Sequence, residues 1–127
     1  MNLDPTADPN LLQVSPVNPY KRIVSGLTSL LNRGPQLVVG PPLELDEPDR
    51  PTPVDVAVYD TYGTTDLEGD VRLLCGRTDV DHVIVLAAEM NPSMVTAMLA
   101  AGADGVVSKF QPSTDLFASI IAAGGRP

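Results

Sequence analysis

The run HVIVLAA at residues 82–88 constrains the fold more than any other stretch of this sequence. After His82 it is apolar throughout, and strands that are apolar on both faces occur in parallel sheets covered by helices on each side. The run VDVAVYD at residues 54–60 is rich in β-branched residues and has the same character. Two such strands predict a parallel sheet that is buried on both faces.

Helical patterns separate the short apolar runs. Ile23, Leu27, Leu30 and Leu31 recur at helical spacing, and the pattern stops at a Gly-Pro pair, residues 34–35. Pro16 counts against a strand over residues 11–17, because proline donates no ladder hydrogen bond. The predicted strands are 11–17, 36–40, 54–60, 82–88 and 105–109, and the predicted helices are 20–34, 66–77, 91–102 and 112–125.

This alternation of strands and helices predicts an α/β fold, a doubly wound five-stranded parallel sheet with helices on both faces. The functional crevice of such a sheet lies at the carboxyl ends of its strands. Residues 41–53 interrupt the alternation with five prolines and four acids, and we interpret them as an extended acidic loop. The prolines between the carboxylates favour a solvated loop over a calcium site.

Composition narrows the class of protein. A chain of 127 residues with 43% hydrophobic and 19% charged residues is typical of one globular domain. The net charge of -8 repels phosphate backbones, so we expect no nucleic-acid binding by this domain alone. Cys75 is the only cysteine and excludes an internal disulfide, which fits a reducing compartment. No apolar run is long enough to cross a membrane, and we expect a cytoplasmic protein.

Two charged side chains end predicted strands. Asp60 closes one strand and Lys109 closes another, and the carboxyl ends of parallel strands meet at one edge of a sheet. A carboxylate and an ammonium are therefore expected in the same crevice. Alone, an aspartate in this position is more often a turn or cap residue. Lys109 is then either a solvated lysine or the direct partner of Asp60.

Four segments resemble parts of one bacterial family. YKRIVSGLTSLL, VDVAVYD, HVIVLAAE and AMLAAGADGVVSK are similar to the first helix, third strand, fourth strand and helix-to-fifth-strand segment of response-regulator receiver domains. The closest type is the LuxR/NarL subfamily of two-component, phosphorelay regulators. The resemblance spans residues 11–124, after a flexible lead-in at 1–10 and before a linker or tail that begins at 125–127. It implies that Asp60 is equivalent to the phosphoacceptor and Lys109 to the phosphate-contacting lysine.

The remaining site positions depart from the family pattern. Asn18 and Pro19 stand where the family has two acids that hold Mg²⁺. Ala87 replaces a hydroxyl donor, and Val106 replaces an aromatic switch residue. The second helix of the family is replaced by the proline-rich loop. Loss of one such donor costs ~10²–10³ in rate where it has been removed from other sites.

These departures predict a degenerate site. We expect an atypical receiver domain that acts independently of phosphorylation, through homodimerisation or another protein association. Asp60 is then vestigial, no residue is catalytic, no metal is bound, and Mg²⁺ binding is weak or absent. By resemblance, the domain would be the regulatory part of a transcription regulator whose DNA-binding domain is absent from this chain. Residues 20–33, 91–101 and 112–124 match the family's dimerisation helices.

Two alternatives remain open at this point. The first is a small-molecule sensor that binds a ligand near Asn18, Asp60, Ala87 and Lys109. The second is a working phospho-receiver, in which Glu89 or Asp66 supplies the missing metal ligands. An enzyme is not expected, because no nucleophile and base occur at a plausible spacing.

Overall fold

The computed structural model describes residues 11–125. The predicted lead-in at 1–10 and the last two residues of the predicted tail lie outside the described residues. In chain order the elements are β1 (Leu12–Val17), α1 (Lys21–Leu31), β2 (Leu37–Val39), β3 (Val54–Asp60), α2 (Leu67–Cys75), β4 (Val80–Ala87), α3 (Pro92–Ala100), β5 (Gly105–Ser108) and α4 (Ser113–Gly124). No helix within residues 11–125 is long and apolar enough to cross a membrane.

The strands form one parallel sheet in the order β2-β1-β3-β4-β5. The predicted doubly wound five-stranded sheet is thereby confirmed. The chain winds outward from β1 to β2 and then in the opposite direction from β3 to β5. The point where the direction reverses lies between β1 and β3, and its carboxyl edge is where such sheets place functional residues.

Helices cover both faces of the sheet. Helices α1 and α4 bury Leu27, Leu31, Leu116 and Ile120 against one face. Helices α2 and α3 cover the other face with an equally apolar set that includes Val71, Leu74 and Met98. Strands between two such layers have no solvent-facing side, which explains why residues 83–87 of β4 are all buried.

Pro16 lies in an interior strand, although its missing N–H counts against a strand there. Strand β2 ends at Val39, so no neighbouring strand faces Pro16 on that side. The carbonyl oxygen of Pro16 accepts a hydrogen bond from Leu43 N at 3.0 Å. The nitrogen and carbonyl of one strand residue point the same way, so the missing donor faces a loop and costs no ladder bond.

The proline-rich segment contains no helix and is anchored at the amino edge of the sheet. The Arg77 guanidinium binds both carboxylate oxygens of Asp79, at 2.8 and 2.9 Å, and donates to Glu47 O at 2.8 Å. Arg50 N donates to the same Asp79 carboxylate at 2.8 Å. Hydrogen bonds from Arg77 are the main reason that the pKa of Asp79 is lowered. The predicted loop is mostly exposed, but it is held in place by a buried charge pair.

Candidate functional site

Asp60 and Lys109 meet at the carboxyl edge of the sheet. Asp60 is the last residue of β3 and is 4% exposed, while Lys109 directly follows β5. Lys109 Nζ lies 2.7 Å from Asp60 Oδ1, which is the length of a charge-assisted hydrogen bond. The backbone N–H of Tyr62 donates to the same oxygen at 2.9 Å. The two side chains are thus brought together as predicted, and of the two possibilities for Lys109 the structure has direct pairing.

Asn18 fastens the loop that follows Asp60. Its Nδ2 donates to the backbone oxygens of Asp60 and Tyr62, both at 2.9 Å. Its Oδ1 accepts a hydrogen bond from Tyr20 N at 2.9 Å. Every polar atom of this side chain therefore has a backbone partner, and the Asn18 amide joins the end of β1 to the loop after β3. The neighbouring Pro19 is exposed and offers no side-chain polar atom.

Two tyrosines stand beside the ion pair. Lys109 Nζ lies 5.7 Å from the centroid of the Tyr62 ring, within the range of a cation–π contact. The Tyr20 ring meets Tyr62 edge to face, with centroids 6.0 Å apart. Gly63 permits this arrangement, because its φ of 70° is left-handed and a Cβ there would lie 2.3 Å from Tyr20 Cε2. Both rings remain about half exposed.

Two other positions that depart from the family pattern, Ala87 and Val106, have apolar side chains. Ala87 ends β4 and is buried, and its carbonyl accepts from Lys109 N at 2.8 Å. Val106 lies within β5 and packs against the core on the α2–α3 face of the sheet. Neither position can donate a hydrogen bond from its side chain to a group bound at Asp60.

This donor set does not fit the Mg²⁺ site of the resembled family. Mg²⁺ requires near-octahedral oxygen ligation, usually with one or two protein carboxylates. Asp60 Oδ1 is already held by Lys109, and the Asn18 oxygen by Tyr20 N. Within residues 11–125, no group of three histidine, cysteine, aspartate or glutamate side chains could hold a metal ion. Weak or absent Mg²⁺ binding stays a prediction.

The two acids proposed as replacement ligands differ in their surroundings. Asp66 caps α2, since its Oδ1 accepts from Gly69 N at 3.0 Å. Glu89 is exposed in the turn after β4. Because the Asp66 carboxylate already caps its own helix, using it as a metal ligand would cost that capping hydrogen bond.

A groove opens from the ion pair between α1 and α4. It has a volume of about 360 Å³, and Asp60 and Lys109 lie among its lining residues. Apolar side chains of both helices form most of its walls, and the other polar lining residues are Arg22, Ser108, Gln111 and Ser113. Asn18 and Ala87 do not line it. The four residues expected around one crevice, Asn18, Asp60, Ala87 and Lys109, therefore do not share a single groove.

Some residues of this edge carry no signal in the sequence. Tyr62 and Tyr20 are separated in the chain and belong to no motif, and their contact depends on the left-handed turn at Gly63. Tyr59 is fully buried, and its hydroxyl donates to Asp70 Oδ2 at 2.6 Å. A tyrosine within an apolar strand followed by an aspartate one helix later is too common a pattern to reveal this bond.

Comparison with known proteins gives no match in sequence. No protein-family model matches the chain, and no curated protein matches it.

Solved structures do match. The signal receiver domain of the response regulator NarL from Mycobacterium tuberculosis has a TM-score of 0.68 at 17% identity, covering 92% of this chain and 99% of that one. A LuxR-family two-component response regulator from Aurantimonas sp. SI85-9A1 has a TM-score of 0.68 at 20% identity, covering 88% and 84%. A pilus assembly-related protein from Burkholderia pseudomallei K96243 has a TM-score of 0.70 at 9% identity, covering 98% and 95%. Identities this low establish the fold alone: this chain has the fold of response-regulator receiver domains.

Proposed function

We propose that this chain is a receiver-type regulatory domain that acts through protein association without aspartyl phosphorylation. The observation that carries the proposal is the ion pair in which Lys109 holds Asp60 Oδ1 at 2.7 Å. A lysine ammonium at this distance neutralises the Asp60 carboxylate and donates a hydrogen bond to it, so it balances the charge that a bound metal ion would otherwise balance. In this proposal the ion pair is the resting state of the crevice.

Aspartyl phosphorylation would find little support in this arrangement. An in-line attack needs a free carboxylate oxygen, and it needs a metal and donors to neutralise the charge on the transferred group. Asp60 is buried, one of its oxygens is held by two donors, and Ala87 supplies no hydroxyl. Each of these features slows phosphoryl transfer, and they act on the same step.

The surface around α3, β5 and α4 supports protein association. The chain contains 24 charged residues (8 basic and 16 acidic), yet residues 91–125 contain only Asp104, Lys109 and Asp115. Three large apolar side chains on or beside this surface are exposed: Met90, Leu99 and Phe110, the last of them 82% exposed. Depletion of charge together with exposed apolar side chains is typical of the core of a protein interface. We infer a homodimer that uses this surface.

A role in transcription regulation rests on resemblance and on charge. The motifs resemble the LuxR/NarL subfamily, and one matched structure is a LuxR-family regulator. With a net charge of -8, the domain would not itself attract DNA. In this proposal it regulates through its partner surface, and a separate domain contacts the operator.

Sedimentation velocity tests the proposal directly. We expect a dimer at micromolar concentration whose dissociation constant is unchanged by Mg²⁺ with acetyl phosphate, and unchanged in Asp60→Asn. Leu99→Ser with Phe110→Ser should give a monomer. Leu73→Ser on α2 should not, although Leu73 is more exposed than Leu99, at 59% against 47%. A dimer that forms only after addition of acetyl phosphate, and is absent in Asp60→Asn, would contradict the proposal.

A ligand-sensing function has one observation in its favour. The groove of about 360 Å³ between α1 and α4 ends at Asp60 and Lys109, and its volume lies in the range of small-molecule sites. A ligand held by Lys109 would compete with Asp60 and shift the dimer equilibrium. Thermal stabilisation by small anions, abolished in Lys109→Met, would favour this function over a constitutive dimer.

A further inference from the structure

A second concavity lies on the other side of the loop that follows β3. It has a volume of about 400 Å³ and is bounded by the proline-rich segment, the end of β1 and the start of α2. It exists because residues 41–46 cross this region as an extended loop, where the resembled family has a helix. Neither Asp60 nor Lys109 lines it, so it is separate from the ion-pair site.

Its polar lining is acidic. Glu44, Asp46 and Asp70 are among the lining residues, the first two of them exposed at the rim, and the described lining includes no lysine, arginine or histidine. The start of α2 borders the cavity, and a helix amino terminus contributes a positive charge of about half a unit. The formal charge of the lining is nevertheless negative, which favours a cation over an anion.

The floor of the cavity is fixed in position. Tyr59 is fully buried, and its hydroxyl donates to Asp70 Oδ2. Burial, followed by the bond to Asp70, raises the pKa of Tyr59, so the hydroxyl stays a donor. The second oxygen of Asp70 accepts no side-chain hydrogen bond from the described part of the chain. A carboxylate that is oriented by one oxygen and open at the other can receive a ligand N–H.

The rest of the lining is apolar. Val17 and Leu43 are buried, and Leu45 and Pro19 complete the wall. A volume of this size with a few oriented polar groups is typical of a small-molecule site. In the part of the chain that the structure describes, no trio of histidine, cysteine, aspartate or glutamate side chains could hold a bare metal ion. We propose that this cavity binds a small organic cation, an amine or quaternary ammonium with a short apolar body, whose charged group faces Asp70.

A ligand in the cavity would restrict the loop that follows Asp60. Asn18 and Gly63 line the cavity, and Asn18 also holds the backbone oxygens of Asp60 and Tyr62. A bound cation would therefore stiffen the loop that donates to Asp60. This inference does not depend on whether Asp60 accepts a phosphoryl group, because it rests on a different surface.

Titration followed by amide chemical shifts is the test. The probes are choline, ethanolamine and putrescine, and the matched control is the neutral alcohol in which carbon replaces the choline nitrogen. We expect saturable shifts at Leu45, Gly63 and Thr64 with at least one cation, and none with the neutral alcohol. In Asp70→Asn, which keeps an acceptor for Tyr59, we expect about tenfold weaker binding. Asp115→Asn, an acid on α4 outside the cavity, should bind as the wild type does.

Three results would overturn the proposal. They are the absence of saturation with all three cations at millimolar concentration, equal shifts with the neutral alcohol, and an unchanged dissociation constant in Asp70→Asn. Leu45→Trp provides a second variant that fills the cavity without changing its charge, and it should abolish binding in a folded protein. Binding that survives Leu45→Trp would place the cation elsewhere and contradict the assignment.

Discussion

Each edge of the sheet contains a buried aspartate that pairs with a basic side chain, Asp79 at the amino edge and Asp60 at the carboxyl edge, and the two pairs differ in how completely they are satisfied. At the amino edge, Arg77 and Asp79 have side chains that are 6% and 0% exposed. Arg77 contacts both oxygens of Asp79, and Arg50 N adds a further bond. At the carboxyl edge, Lys109 and Asp60 are 25% and 6% exposed and share a single contact.

The Arg77–Asp79 pair holds a loop against the sheet, whereas the Lys109–Asp60 pair lies in the candidate functional crevice. The Arg77 guanidinium uses its planar fork on a carboxylate and on backbone oxygens, so it fixes the position of the proline-rich loop. Lys109 offers a point charge on a flexible stem and can be displaced. We therefore expect substitutions at the amino edge to cost more stability than substitutions at the carboxyl edge.

Removing the amino-edge acid should have the largest effect. In Asp79→Ala the buried Arg77 guanidinium loses its bidentate carboxylate partner and keeps only a looser contact with Asp49, at 3.7 Å. Breaking a buried pair from one side costs about 3–5 kcal/mol, and we expect a loss toward the lower end of that range. Urea unfolding would show the loss. The control is Arg72→Ala, since Arg72 pairs with Glu68 on the exposed surface of α2 and should cost less than about 0.5 kcal/mol. Similar losses in the two variants would remove the distinction between the edges.

The carboxyl-edge pair should cost less to break. Lys109→Met leaves Asp60 with one donor, Tyr62 N, and we expect a loss of about 1–3 kcal/mol. Asp60→Asn together with Lys109→Met should recover part of that loss, because no uncompensated charge remains. A double-mutant cycle measured by urea unfolding gives the coupling energy. A coupling energy near zero would mean that the pair is not formed in solution.

Substitutions at two glycines test the packing of Tyr20 beside the ion pair. Gly63→Ala forces a Cβ into the left-handed region and against Tyr20, so we expect a loss of about 1–2 kcal/mol. Gly26→Ala is the matched substitution in α1, where a Cβ meets nothing within 4 Å, and it should stabilise by about 0.5–1 kcal/mol. Equal effects in thermal unfolding would mean that Tyr20 does not stand against Gly63.

The edges should also respond to opposite extremes of pH. The lowered pKa of Asp79 adds stability above its ordinary value of 3.8, and that stability is lost as the pH falls through the folded-state pKa. The raised pKa of Tyr59 adds stability below its ordinary value of 10.0, and that stability is lost as the pH rises beyond it. Urea midpoints should therefore be flat from about pH 5 to 9. Asp79→Asn should weaken only the acid decline, and Tyr59→Phe only the alkaline one.

The fold could be predicted because its signal is local and repeated. The apolar run of β4 and the helical spacing of Leu27 and Leu31 each specify an element without knowledge of its neighbours. Pro16 counted against a strand that forms, since the early end of β2 could not be foreseen from residues near the proline. The same local reasoning placed Asp60 and Lys109 at one edge.

The rest of the site depends on contacts between distant segments. Asn18 holds a loop more than 40 residues away, and the Arg77–Asp79 pair anchors a loop that precedes it by about 30 residues. Asn18, Arg77 and Asp79 belong to no spacing pattern in the sequence. The sequence showed that residues 41–53 could not be a helix, but it could not show that the replacement leaves a cavity beside Tyr59.

The proposed function requires that Asp60 accepts no phosphoryl group. Intact mass after incubation with Mg²⁺ and acetyl phosphate tests it, with Asp60→Asn as the control. We expect no phosphoryl adduct on the wild type, even at high Mg²⁺. An adduct on the wild type that is absent from Asp60→Asn would contradict the account and make Asp60 a working phosphoacceptor.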